Sequence, residues 1–528
     1  MPPSGYPPPG YPPASGAYAP GAGAYAPGGP AAYAPAPPGR YPPYAYPGWQ
    51  QGWSLPPAPP PRRRRWPAVS VSVVAVIGLA AAAVVVVRSG GSDHPDEWDE
   101  RVAPLAAFVE RERGLSFDHP VTVEFLTEDE YSSASRTDEG ALTDTDREMI
   151  DEWGATFTAL GLVPEGTDLF DTSNEMADSG TLAFYDPATE RVTVRGTEMS
   201  TGLAVTLVHE LVHVAQDQAF DLQQPPPGNT SGAFEAYDAL IEGDASRIEL
   251  AYLATLSHVD QTAYWDAYDA DYDESQDRLS DVPGALQALF AAPYVLGQPV
   301  VDIIASDGGN AAVDDAFEDP PATGEHLFDP RSYLAGDAPA DVDDPDLPDG
   351  AERVGLPDEL GATTLFVLLS ERVDPLEALA AADGWGGDRY VSYRLDDRTC
   401  VRVDLVGDSP TDTDEIARAV EAWAAAGPGG AASVEGGGET VALESCAGPA
   451  DAAATAPTAG RSYDALGLPA ARAQLMAVAA DSGRGPDEAF AVGDCFVRSV
   501  SLDLIVEANA ADEPPQEVVD AVTRCMAG

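Results

Sequence analysis

Residues 200–218 read Ser-Thr-Gly-Leu-Ala-Val-Thr-Leu-Val-His-Glu-Leu-Val-His-Val-Ala-Gln-Asp-Gln. Within them, His209-Glu-Leu-Val-His213 sets two imidazoles four residues apart around a carboxylate. On a helix, positions i and i+4 share a face, so His209 and His213 can grip one metal ion. Glu210 sits one residue round, where a carboxylate reaches a water on that metal. Two imidazoles for a borderline-soft dication, with a general base beside them, form the donor set of a zinc hydrolase. The chain has only 6 histidines, so chance is a poor explanation of this spacing.

The flanking residues predict a helix. Ser200 or Thr201 can cap its start, and Ala204, Leu207, Val208, Leu211 and Ala215 recur at i, i+3, i+4 spacing as an apolar stripe. His209, His213 and Asp217 are expected off that stripe, and Pro225, Pro226, Pro227 and Gly228 to end the helix. The bland alternative is a buried helix whose histidines hydrogen-bond to neighbours.

Catalytic zinc usually has three protein ligands and one open position. A second helical pattern follows, with Tyr237, Ile241, Ile248 and Tyr252 apolar and an acidic stripe of Glu235, Asp238, Glu242 and Glu249. Acidic stripes are usually solvated faces, but the zinc architecture asks for one carboxylate here. Glu242, inside Ile-Glu-Gly-Asp-Ala, is the choice, with Glu235 and Glu249 as alternatives. Asp217, Asp238 and Asp244 are candidates to orient a ligand histidine.

His209-Glu-Leu-Val-His-Val-Ala-Gln-Asp-Gln218 followed by Glu242-Gly-Asp-Ala245 resembles a group of bacterial neutral zinc metallopeptidases of the gluzincin type. Ala292-Pro-Tyr-Val-Leu-Gly297, Gly308-Gly309, and Pro320-Pro-Ala-Thr-Gly-Glu-His-Leu-Phe-Asp-Pro330 with Tyr333 are similar to later blocks of that group. By order of blocks the resemblance covers residues 95–400. It implies zinc as cofactor, Glu242 as third ligand, Glu210 as base and a peptide as substrate. Members tend to carry His where this chain has Asp329. His326, three residues earlier, and Tyr333 are therefore the expected oxyanion donors.

Thr181–Asp186 and Arg191–Arg195 read as two strands around the turn Pro187-Ala-Thr. A hairpin just before the zinc helix could offer an edge strand to an extended peptide. Upstream, the region opens with a helical pattern (Trp98, Val102, Leu105, Val109), a strand (Val121–Leu126) and a helix around Met149–Leu160. Downstream, helical patterns recur near Gly284–Phe290, Val300–Ile304, Ala311–Phe317 and Ala362–Leu369. A small sheet backed by many helices, an α+β zincin-like domain over 94–385, is the expected fold.

The first 61 residues are a Pro, Tyr, Gly and Ala tract that cannot bury a core, so 1–65 is expected to be a disordered tail. Arg62-Arg-Arg-Arg65 then precedes Pro67–Val87, an uncharged apolar run spanning roughly 30 Å as a helix. Four arginines before it and only Arg88 after it put the tail in the cytoplasm and the rest outside. Residues 66–88 thus read as a single-pass membrane anchor.

The formal net charge is −60, there is no lysine, and no Asp or Glu precedes Asp93. So acidic a surface repels nucleic acid and excludes it as a partner. Asp269–Glu274 and Asp341–Asp346 lack calcium-loop spacing and read as solvated acidic loops. Cys400, Cys446, Cys495 and Cys525 form an even set on the outer side, which predicts two disulfides in a C-terminal region, 386–528. Pairs 400–446 and 495–525 each bracket a small unit of their own. Gly448–Ala459 reads as a linker.

Three functions compete: a membrane-anchored zinc peptidase, a zincin scaffold that binds without turnover, and a zinc amidase on a non-protein amide. An intact Glu210 favours the first over the second.

Overall fold

The computed structural model describes residues 94–528 except 180–181, 228–229, 397, 437, 448–460, 510 and 512–513. The expected tail, membrane span and linker lie outside the described residues.

The chain begins with α1 (Ala103–Arg113), β1 (Thr122–Leu126), α2 (Glu128–Ala134), α3 (Asp144–Leu160), α4 (Leu169–Ser179), β2 (Ala183–Asp186) and β3 (Arg191–Arg195). A helical stretch follows: α5 (Thr201–Phe220), α6 (Ser231–Thr255), α7 (His258–Arg278), α8 (Gly284–Gly308), α9 (Asn310–Glu318), α10 (Glu325–Phe328) and α11 (Pro330–Ala335). Next come β4 (Glu352–Asp358), α12 (Gly361–Ser370), α13 (Pro375–Asp383), β5 (Trp385–Leu395), β6 (Arg398–Gly407), α14 (Pro410–Ala426), β7 (Ala432–Gly436) and β8 (Val441–Cys446). Five helices close the chain: α15 (Arg461–Ala465), α16 (Gly467–Asp481), α17 (Pro486–Ser499), α18 (Leu502–Asn509) and α19 (Gln516–Ala527).

The expected zinc helix is α5. Ser200 caps it by accepting from the Leu203 amide. It ends at Phe220, where Asp221 turns left-handed (φ +57°), ahead of the proline run expected to stop it. The expected division into an apolar stripe and an opposite face is corrected. Leu203 and every residue from Val205 to Gln216 are buried, because α5 is covered by α1, β2, α6 and α7. A helix covered on all sides needs no polar face.

β1 runs parallel and β2 antiparallel to β3, in the order β1-β3-β2, so β2 is an edge strand. The other sheet is antiparallel, in the order β4-β5-β6-β8-β7. The boundary expected between 385 and 386 falls inside this sheet, since β4 precedes it and β5 begins at Trp385. One apolar cluster joins α1, the small sheet and α5. A larger one runs from α3, α6 and α8 through α12 to the second sheet and the last helices.

Two further expectations change. The patterns at Gly284–Phe290 and Val300–Ile304 belong to one helix, α8, with Pro293 and Pro299 inside it. Burial against α6, α12, α15 and α16 outweighs the local cost of the prolines. Among the described residues α8 is the one helix long and apolar enough to cross a membrane, and it is mostly buried in the protein. Asp269–Glu274 lies within α7 rather than in a loop. Acidic composition was a poor guide there, because Asp and Glu are tolerated in helices.

α6 and α8 cross backbone to backbone. A Cβ on Gly243 would meet the Gly297 carbonyl carbon at 2.4 Å, and one on Gly297 would meet the Ala239 oxygen at 2.1 Å. Only glycine fits either position. At the far end, Arg472 of α16 is buried, paired with Asp383 and donating to the Phe328 carbonyl at 2.8 Å. Both disulfides have the expected pairing. Cys400 and Cys446 are directly opposed on β6 and β8, and Cys495–Cys525 joins α17 to α19.

Candidate metal centre

The α5–α6 packing brings His209, His213 and Glu242 together, all fully buried, with their ligand atoms within 4.8 Å of one another. Glu242 Oε2 lies 3.0 Å from His209 Nε2 and 3.5 Å from His213 Nε2. Tetrahedral bonds of about 2.0–2.1 Å to nitrogen and oxygen would separate ligand atoms by about 3.3 Å, so these spacings suit one small dication. The other oxygen, Oε1, accepts from the Tyr294 hydroxyl of α8 at 3.2 Å. That leaves Oε2 as the oxygen facing both histidines.

The histidines are oriented from behind. His213 Nδ1 lies 3.0 Å from Gln216 Oε1. The Gln216 amide nitrogen meets two acceptors, the Ile241 carbonyl and Asp244 Oδ2, each at 3.1 Å. The amide orientation is thereby fixed, Nδ1 of His213 is the protonated nitrogen, and Nε2 keeps its lone pair towards the centre. Asp244 is held by Arg113 of α1 at 2.6 Å, a pair with neither side chain exposed, and by Arg247 at 2.8 Å. His209 Nδ1 lies 3.0 Å from Glu249 Oε2, and Tyr264 donates to Glu249 Oε1 at 3.3 Å.

The expected orienting acids are therefore redistributed. Glu249, an alternative third ligand, orients His209 instead. Asp244 acts on His213 only through Gln216. Asp217 accepts from the Tyr185 hydroxyl at 2.8 Å and from the Leu222 amide. Gln216 could have been found at i+3 from His213. Arg113 and Tyr294 have no local spacing that links them to the motif.

Polar atoms here lack partners. Both oxygens of Glu210 and Nε2 of His213 are buried without a well-formed hydrogen bond, the Tyr185 backbone facing Glu210 from β2. Native proteins rarely leave such atoms unsatisfied, and a metal with its water would satisfy all three. With no metal, burial disfavours the His209 imidazolium, but Glu242 and Glu249 outweigh it and hold its pKa at about 10. Burial likewise pushes Glu242 up, and His213 and His209 overrule it down to about 2. Glu210 is raised to about 7 by burial. Metal binding must displace the His209 proton.

Each expected oxyanion donor has a polar contact of its own, while Nε2 of His326 is buried without a hydrogen bond. His326 Nδ1 accepts from the Ala322 amide at 3.2 Å, and burial lowers its pKa to about 4. Tyr333 donates to the Asp319 carbonyl at 3.0 Å. Their ring centroids are 5.6 Å apart, and neither makes a described hydrogen bond to the centre.

A second group able to hold a metal ion is half-buried. His94 Nδ1 lies 3.2 Å and His119 Nε2 3.6 Å from Glu190 Oε2, with the two rings stacked. Its members sit in three separate connecting segments, so no sequence spacing announced it.

Residues 352–469 match a domain of unknown function (DUF8575). The match covers the five-stranded sheet and α12–α15 but none of the residues facing the buried centre. No curated protein and no solved structure matches the chain.

Proposed function

We propose that this protein is a zinc-dependent peptidase of zincin type, anchored in the membrane by residues 66–88 with its catalytic part outside the cell. The observation that carries the reading is the buried His209–His213–Glu242 triad beside the unpartnered carboxylate of Glu210. His209, His213 and Glu242 would hold the ion. When bound, zinc supplies a Lewis acid that polarises the scissile carbonyl and lowers the pKa of a coordinated water.

The chain's own residues supply the rest. Glu210 takes a proton from the attacking water and hands it to the leaving amine. Tyr294, Gln216 and Glu249 orient the three ligands through hydrogen bonds. β2 is an edge strand and the Tyr185 backbone faces Glu210 from it, so a peptide adding to that edge would lie near the base. Two disulfides agree with an oxidising compartment outside the cytoplasm.

One observation favours the inactive-scaffold reading: His209, Glu210, His213 and Glu242 expose no surface. Against it, a buried unpaired carboxylate costs several kcal/mol, and a site without turnover has no use for that cost.

Elemental analysis of the full-length protein tests the reading. Glu210→Ala should keep its zinc and lose peptide hydrolysis by at least about 1,000-fold. His213→Ala and Glu242→Ala should each lose one zinc, and a His94→Ala/His119→Ala pair should leave that zinc in place. Wild type without zinc at the buried triad, even after incubation with the metal, overturns the proposal.

A further inference from the structure

One face of α6 links the centre to a cavity. Ser231, Phe234, Glu235 and Asp238 line it, and Glu242 is the next position on that face, one turn beyond Asp238. From α8, Pro293 lines the cavity beside Tyr294, which holds Glu242. The cavity measures about 140 Å³. Trp153, Phe157, Phe290 and Tyr390 supply aromatic wall.

Its polar groups are of one sign. Glu235, Asp238 and Glu359 line it, and no described Arg or His does. Glu359 is 93% buried and its Oε1 has no hydrogen-bond partner. Three glycines make room for these carboxylates. A Cβ on Gly232 would sit 1.9 Å from Glu359 Oε1, and one on Gly324 would sit 3.0 Å from Glu235 Oε2. The position of a Cβ on Gly361 lies 3.8 Å from Glu235 Oε2 and 3.9 Å from Glu359 Oε1, so the two carboxylates converge. They are not a metal cluster: the described groups able to hold an ion are the two triads above.

Carboxylates amid aromatic walls, with no described cation among the lining residues, suit a cation with an apolar stem. Lys and Arg side chains have that build, a charged head on a methylene chain that packs on apolar surface and aromatic faces. We infer that this cavity is the side-chain subsite of the proposed peptidase and takes a basic residue of the substrate, its ammonium or guanidinium lodged between Glu235 and Glu359. The inference rests on the peptidase reading for its role and on the cavity itself for its ligand. Free of ligand, burial raises Glu235 to about 7 and, with Asp388 and Asp358 beside it, Glu359 to about 8. A bound cation would restore their charge.

Binding and cleavage are tested apart. Agmatine, butylamine and butanol are titrated calorimetrically into the zinc-loaded full-length protein. The two amines should bind one per chain, and butanol at least tenfold more weakly. Glu359→Gln and Glu235→Gln, checked for native circular dichroism, should each weaken agmatine by about tenfold. Its affinity should rise from pH 6 to pH 8.5 as the two carboxylates ionise against Asp238, Asp358, Asp388 and each other, with Thr363 and Thr230 favouring their charged forms. Butanol equal to butylamine, or no effect of either substitution, overturns the subsite. In the second arm, peptides carrying Lys or Arg should exceed Leu peptides in kcat/KM by at least tenfold, and Glu359→Gln should collapse that ratio. Amine binding without cleavage of any peptide would sink the peptidase reading and leave the cation site standing. Cleavage with no basic preference and no amine binding would do the reverse. A preference abolished by acetylating the peptide amino terminus, and indifferent to side chains, would replace the basic residue with a free amine and overturn the inference.

Discussion

Glu249 shows how much one side chain can decide. Its carboxylate holds a proton on Nδ1 of His209, so Nε2, facing Glu242, is the nitrogen a metal would take. Glu249→Gln keeps the shape and removes the charge. Zinc affinity should fall by about 10–100-fold, the usual loss when such a partner is removed, with little change in the unfolding midpoint. Competition against a chelator reads the first quantity and circular dichroism the second; unchanged affinity would mean Glu249 is a spectator. At this scale the sequence was legible where chemistry is local. His209, Glu210 and His213 announce themselves by spacing, and Glu242 by its Glu-Gly-Asp-Ala setting. Gln216, Tyr294 and Arg113 were not legible, because each acts through a contact that only packing creates. His326 and Tyr333 were singled out by neighbourhood in sequence, and the fold gives them contacts with Ala322 and Asp319 that no spacing announced.

The crossing of α6 and α8 is the element on which the centre depends. It sets Tyr294 against Glu242, and Gly243 and Gly297 permit the close approach. Gly243→Ala would force the helices apart. Overpacking of this kind costs about 1–3 kcal/mol, and here it should also loosen the third ligand. Urea unfolding and zinc content should therefore fall together; loss of stability with full zinc content would separate the crossing from the site. Helix and strand positions were readable wherever period and caps agree, as in α5 and the β2–β3 hairpin. They were misread where burial overrides local preference. Two prolines hid the continuity of α8, and a run of acids disguised the middle of α7. The glycine of Glu-Gly-Asp-Ala looked like part of a motif and proves to be a packing residue.

At the scale of the whole molecule, buried carboxylates couple stability to pH. Burial raises Glu152 to about 7, Glu325 to about 8 and Glu359 to about 8, helped by Asp358, Asp408 and Asp388 respectively. Each folded pKa lies above its unfolded value near 4.5, so the stability these groups confer is present at low pH and lost as pH rises through 7–8. The metal-free protein should therefore melt higher at pH 5.5 than at pH 8. Added salt should narrow the gap by screening the net charge of −60. Calorimetry at the two pH values decides, and a higher melting temperature at pH 8 would refute it. Net acidity was plain in the composition; which carboxylates are buried beside one another was not, since neighbours such as Glu152 and Asp358 lie far apart in the chain.

α8 also bears on how such a protein reaches its destination. For a chain threaded through a protein-conducting channel, every long apolar segment is offered a sideways exit into lipid. If α8 took that exit, Tyr294 would part from Glu242 and everything after Gly308 would be stranded on the wrong side. Gln298, Asp302 and the two prolines tilt that choice towards onward passage. On the proposed topology, the residues that make α8 an imperfect membrane helix would let everything beyond the anchor cross the membrane together.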